Sequence, residues 1–179
     1  MKIREIFFGS VFFLIVLGIT ILCRESDADS YLPPPETPGL VNKDITENNF
    51  HEKVCNKAST LRPTASYTNK IKQELFNKDK KQCGGNISGC ELDHRGPICA
   101  GFEPTGPKRK VDPIKQLWLQ PYQGKWNAHR KDKLEVKVCK QLCDREITLH
   151  EAQKIFLDPD WTVHYQEYVK KGLIHDTQH

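Results

Sequence analysis

The chain has 179 residues, enough for one domain with little left for a second. A hydrophobic share of 37% and a charged share of 28% fit a polar globular protein with a modest core. With 27 Lys and Arg against 23 Asp and Glu the formal charge is +4, which permits a polyanionic partner but is too mild to argue for one.

The N-terminus begins with Lys2 and Arg4 and continues into the apolar run IFFGSVFFLIVLGITIL, from Ile6 to Leu22. That order is the pattern of a secretory signal, and small residues at Ser26 and Ala28 place cleavage after Ala28. About 20 apolar residues span a bilayer, so an uncleaved membrane anchor is the alternative. Either way the bulk of the protein is expected outside the cytosol, secreted or periplasmic, meeting a membrane only if the segment is retained. Removal of residues 1–28 takes away Lys2, Arg4 and Arg24 together with Glu5, Glu25 and Asp27, so the charge stays at +4. It also takes Cys23 from the seven cysteines, leaving six: Cys55, Cys83, Cys90, Cys99, Cys139 and Cys143. An even number in an exported chain reads as disulfides. Zinc is the rival, but no Cys-x-x-Cys pair is present.

Residues 29–50 contain YLPPPETPGLVNKD, where prolines remove backbone donors, and are predicted to be a linker. The folded body is expected over 51–172, with 173–179 a tail. Its first part, RPTASYTNKIKQELF, passes from an extended Arg-Pro-Thr segment into a helix with Ile71, Leu75 and Phe76 on one side. CGGNISGC follows, too rich in glycine for regular structure, and holds the glycosylation sequon Asn86-Ile87-Ser88, which matters only in a eukaryotic host. A brief strand then enters Asp93-His94 and gives way to an irregular loop.

The C-terminal third is predicted to be helical. From Asn127 to Cys143, Leu134, Val138 and Leu142 recur every four residues. Thr148 with Glu151 forms a capping box, and Ile147 with Ala152 a hydrophobic staple. A last helix opens at Asp158 with Pro159 in its first turn, turns Trp161, Tyr165, Tyr168 and Val169 inward, and ends at Gly172. Cys139 and Cys143 share a helical face at a spacing that ordinary disulfide geometry does not suit, so each is expected to reach a separate partner. The fold class is α+β: a small, loop-rich unit with a C-terminal helical closure.

Chemistry centres on ELDHRGP, residues 91–97. Downstream, the turn PYQGKW delivers Asn127 and His129 to a helix start, so a strand set beside it brings Asp93, His94, Asn127 and His129 together. Carboxylate, imidazole and amide make a mixed donor set suited to Mg²⁺, Mn²⁺ or Zn²⁺ with positions left for water and substrate. A helix N-terminus also offers free backbone donors to phosphate. Arg130 and Lys131, with Lys133, Lys137 and Lys140, form either a solvated helix face or contacts to a nucleic-acid backbone. Asn127 is equally suited to capping its helix.

The run ELDH…LWLQPYQGKWNAHRKDKLE…VCKQLCDREITLHEAQKIFLDPDW…Y resembles a family of exported bacterial-type nucleases of the HNH class, and LRPTASYTNKIKQ is similar to that family's segment before the active site. The likeness covers about residues 54–168. It implies a disulfide-stabilised ββα-metal (HNH-like) core and a metal-dependent endonuclease acting on nucleic acid, DNA ahead of RNA. Residue by residue it makes His94 the general base that activates water and Asp93 a ligand to one divalent metal. The helix-start ligand is His129 or Asn127, with His129 placed first. Mg²⁺ is the leading ion, with Mn²⁺, Zn²⁺ and Ni²⁺ as alternatives, and no small-molecule cofactor or oligomeric state is implied. The chain departs from the family at Gln116, where the family has Asn before LWPQ. It departs again at RGPICAGFEPTG, which replaces LIPLELGG. The rival expectation is a catalytically inactive nucleic-acid-binding protein on the same scaffold.

Overall fold

A computed structural model describes residues 31–55 and 57–176. The expected signal or anchor at residues 1–28 lies outside the described residues. The fold class holds at its coarser level: the described residues form a mixed α/β unit with one two-stranded sheet and four α-helices, stapled by three disulfides.

Helix α1, Ala65–Lys78, starts where Thr64 accepts a hydrogen bond from the Tyr67 amide, after the extended Arg62-Pro63 step that proline enforces on its predecessor. It buries Ile71 and Phe76. Strand β1, Cys90–His94, pairs antiparallel with β2, Leu117–Pro121, in a register that sets Glu91 opposite Gln120, Asp93 opposite Trp118 and His94 opposite Leu117. Because side chains alternate along a strand, Cys90, Leu92 and Leu119 share one face, where they pack with Leu75 and Phe76 of α1. Glu91 and Asp93 take the other face, toward helix α2, Ala128–Cys143. The sheet therefore lies between α1 and α2.

The main core is helical. Leu134, Val138 and Leu142 of α2 meet Leu149, Ala152, Ile155 and Phe156 of α3, Leu149–Leu157, and Trp161, Tyr165 and Tyr168 of α4, Trp161–Lys170. The predicted capping box at Thr148 and Glu151 is present. Helix α4 starts later than expected. Asp158 closes α3, and Asp160 is the N-cap of α4, its carboxylate accepting from the Thr162 amide, so Pro159 stands in the link between the helices. The disulfides join Cys55 to Cys143, Cys83 to Cys90 and Cys99 to Cys139, so Cys139 and Cys143 do reach separate partners.

Two segments differ from expectation. The proline-rich stretch, read as a linker, is laid along the body over residues 31–50. Trp161 Nε1 donates to the Tyr31 carbonyl at 3.0 Å, Thr37 Oγ1 to the Ile114 carbonyl at 2.7 Å, and Val41 bridges Phe102. Proline denies a segment its own ladder but not the docking of its remaining groups. Gly39 at φ +78° is required here, since a Cβ would stand 2.6 Å from Cγ of Arg95. Gln116, the departure from the family, is the clamp. Fully buried, its Oε1 accepts from Leu40 N at 2.8 Å, and its Nε2 donates to the carbonyls of Leu40 and Glu103 at 2.7 and 2.8 Å. Its own carbonyl accepts from Arg95 N, so the longer amide ties strap, loop and strand together. The tail is likewise packed through residue 176: Ile174 is buried in the core and Asp176 accepts from Arg130 and Tyr165.

Candidate active site

At the end of β1, an open cleft of about 630 Å³ lies between the start of α1 and the middle of α2. Its walls include Arg62 and Pro63, Glu91 through His94 of β1, and Asp132, Glu135 and Val136 of α2. Glu91 and Asp93 reach it because they stand two apart on one strand face; Asp132 and Glu135 reach it because they are three apart on one helix face. Ligand oxygens of Asp93, Asp132 and Glu135 all lie within 4.8 Å of one another.

Lys131 is buried at the heart of this cluster, with 1% of its side chain exposed. Its Nζ stands 2.6 Å from Asp93 Oδ2, 2.5 Å from Glu135 Oε1 and 2.7 Å from the His94 carbonyl oxygen. Burial alone would lower its pKa, but Asp93 and Glu135 outweigh that and raise it. One ammonium does not neutralise four carboxylates. Burial, with Asp132 and Asp93 nearby, pushes Glu91 up to about 7. Burial pushes Glu135 up to about 7 against the pull of Lys131, and Asp132 is raised by burial and by Asp93. An excess of hard oxygen donors that resist ionising together is the condition a divalent cation relieves, and it suits Mg²⁺ or Mn²⁺ ahead of softer ions.

His94 sits beside the cluster on the α1-facing side of the strand. Its Nε2 is buried without a hydrogen-bond partner, and burial lowers its pKa to about 4 despite the neighbouring Asp93. The imidazole is thus neutral over the physiological range, with Nε2 buried and unpaired among the described residues. Arg62, exposed on the rim, acts electrostatically on both His94 and Asp132.

The predicted site residues divide. Asp93 and His94 are together in the cleft. Asn127 caps α2: Oδ1 accepts from Arg130 N at 3.2 Å and Nδ2 donates to the Gly124 carbonyl at 3.1 Å. His129 is exposed, stacked on Tyr122 with ring centroids 5.2 Å apart, one turn before Asp132 and outside the carboxylate cluster. The basic pair expected to touch nucleic acid is engaged internally. Lys131 is buried as described, and Arg130 pairs with Asp176 at 3.0 Å beneath the rings of Trp126 and Tyr165. Asp132, Glu135, Glu91 and Arg62 were not singled out from sequence. The i, i+3 spacing of Asp132 and Glu135 in KDKLE is the available signal, hidden because four of those five residues are charged.

Comparison of the chain with protein-family models, curated proteins and solved structures returns no match. The cleft must speak through its own geometry.

Proposed function

We propose that this protein is an exported, metal-dependent endonuclease with an HNH-like ββα core, hydrolysing phosphodiester bonds of nucleic acid, DNA ahead of RNA. The observation that carries the reading is a His94 imidazole whose Nε2 has no partner among the described residues, beside oxygen donors at Asp93, Asp132 and Glu135 in the lining of one cleft. The order β1, β2, α2 around that cleft agrees with the core implied by the sequence resemblance. Three disulfides are consistent with folding in an oxidising compartment.

His94 Nε2 takes a proton from water, and the adjacent Asp93 carboxylate stabilises the imidazolium that forms. Lys131 holds Asp93, Glu135 and the His94 carbonyl in fixed relation. Arg62, with no short-range partner among the described residues, offers a planar donor fork to a phosphate oxygen at the mouth. Asp93, Asp132 and Glu135 would hold the divalent ion, which when bound supplies positive charge against that developing on the phosphate.

The test is nicking of supercoiled plasmid DNA with Mg²⁺, Mn²⁺, Zn²⁺ or Ni²⁺, comparing the wild type with His94→Ala. The expected loss is roughly hundredfold or more, the usual contribution of a general base. Equal rates in both proteins would remove His94 from the mechanism. A second reading, a non-catalytic nucleic-acid-binding protein on this scaffold, draws on Lys131, whose ammonium already occupies the space between Asp93 and Glu135. It requires salt-sensitive binding with no nicking in any of the four metals.

A further inference from the structure

We propose that Asn86 is an N-glycosylation site. Asn86-Ile87-Ser88 is the one Asn-x-Ser/Thr sequence in the chain, and it lies outside the sheet and the α-helices, with Asn86 exposed as the N-cap of a single 3-10 turn, Ile87–Gly89. The loop is closed on itself by the Cys83–Cys90 disulfide, seven residues apart, and attached to the body through the start of β1. Within it the Asn86 side chain turns back on the sequon: its Oδ1 accepts from the Ser88 amide at 3.0 Å and from the Ser88 hydroxyl at 2.9 Å. Those two bonds fix the amide plane through its oxygen, while Nδ2, the atom that would be substituted, has no hydrogen-bond partner among the described residues. The hydroxyl of Ser88, the third sequon residue, is thus bonded to the acceptor amide itself.

Space for a glycan is available. Gly84 and Gly85 both stand in the left-handed region, and a Cβ built on either meets nothing within 4 Å. The loop also leaves the proposed chemistry alone. It joins β1 at Cys90, whereas His94 is four residues on, about 13 Å along an extended strand. A sugar at Asn86 therefore shields the loop end of the hairpin without covering the cleft. The three disulfides are compatible with the site, since the secretory compartment in which such transfer takes place is oxidising.

The co-reactant is an oligosaccharide carried on a polyprenyl diphosphate. Nδ2 of Asn86 attacks the anomeric carbon, a C–N bond forms and the anomeric C–O bond to diphosphate breaks. The polyprenyl diphosphate leaves with the bonding electron pair, and one amide proton passes to a base of the transferring enzyme. No redox change is involved.

The full chain is expressed in a eukaryotic secretory host, in one arm with its own N-terminus and in a second with residues 1–28 replaced by a signal sequence of the host, so that poor export does not obscure the outcome. Peptide-N-glycosidase should increase the gel mobility of the secreted protein and convert Asn86 to Asp in its mass spectrum. Asn86→Gln and Ser88→Ala should each abolish that shift, and Ser88→Thr should keep it. Secreted protein from the second arm that carries no glycosidase-sensitive mass, or a shift that persists in Asn86→Gln, overturns the proposal. Neither result touches the nuclease reading, which is measured by plasmid nicking.

Discussion

Replacing Lys131 with Met keeps most of the aliphatic stem and deletes the ammonium that three oxygens share. In the wild type Nζ lies 2.6 Å from Asp93, 2.5 Å from Glu135 and 2.7 Å from the His94 carbonyl. The substitution leaves Asp93 and Glu135 facing each other without the ammonium that stands between them. Removing one partner of a buried ion pair costs roughly 3–5 kcal/mol, a large part of the ~5–15 kcal/mol that stabilises a typical domain. For a chain of this size each kcal/mol moves Tm by about 2–4 °C, so thermal unfolding in EDTA at pH 7.5 should show Tm lowered by roughly 6–20 °C. The deficit should shrink at pH 5. Burial already raises the Glu135 carboxyl well above the usual carboxylate range with Lys131 present, and loss of the cation raises it further, so acidification favours its neutral form and lessens its repulsion with Asp93. An unchanged Tm at pH 7.5, or an equal deficit at both pH values, would refute the view that Lys131 is the counter-charge of this cluster.

Glu91 is held near 7 in the folded state against an ordinary value near 4.5, so its contribution is fully present below about pH 4.5 and is lost as pH rises through 7. Glu91→Gln should therefore gain stability relative to wild type above pH 7 in EDTA, on the order of 1–2 kcal/mol after solvent screening, with the difference vanishing near pH 4.5; a pH series of melting curves reads it. Mg²⁺ should raise the wild-type Tm more at pH 7.5 than at pH 5, and Asp132→Asn with Glu135→Gln should cancel that gain; equal Mg²⁺ response in wild type and double variant would count against the carboxylates as ligands. Arg62→Ala, in a His94→Ala background with Mg²⁺, should reduce the salt dependence of binding to a short DNA duplex by about one phosphate contact, measured as the slope of log affinity against log salt. Replacing Cys99 and Cys139 together by Ala opens a loop of 40 residues and should cost roughly 4 kcal/mol in denaturant unfolding, with the cleft wall loosened.

Local chemistry made much of this protein legible in its sequence. Capping and periodicity depend on residues within a turn or two, which is why Thr148 with Glu151, the Leu134–Val138–Leu142 stripe and the Asn127 cap can be read directly. The separate disulfide partners of Cys139 and Cys143 followed from helical geometry alone. The docking of the proline-rich strap is not legible in its own residues because it depends on Gln116, Ile114 and Trp161, more than 70 residues away. The site divides the same way. Asp93 and His94 are adjacent in sequence, at the end of a short strand. Which neighbours arrive depends on the rotation of α2 against the sheet. That packing turns Lys131, Asp132 and Glu135 toward Asp93, leaves His129 on Tyr122, and gives Arg130 to Asp176, choices that no residue count along KWNAHRKDKLE could make.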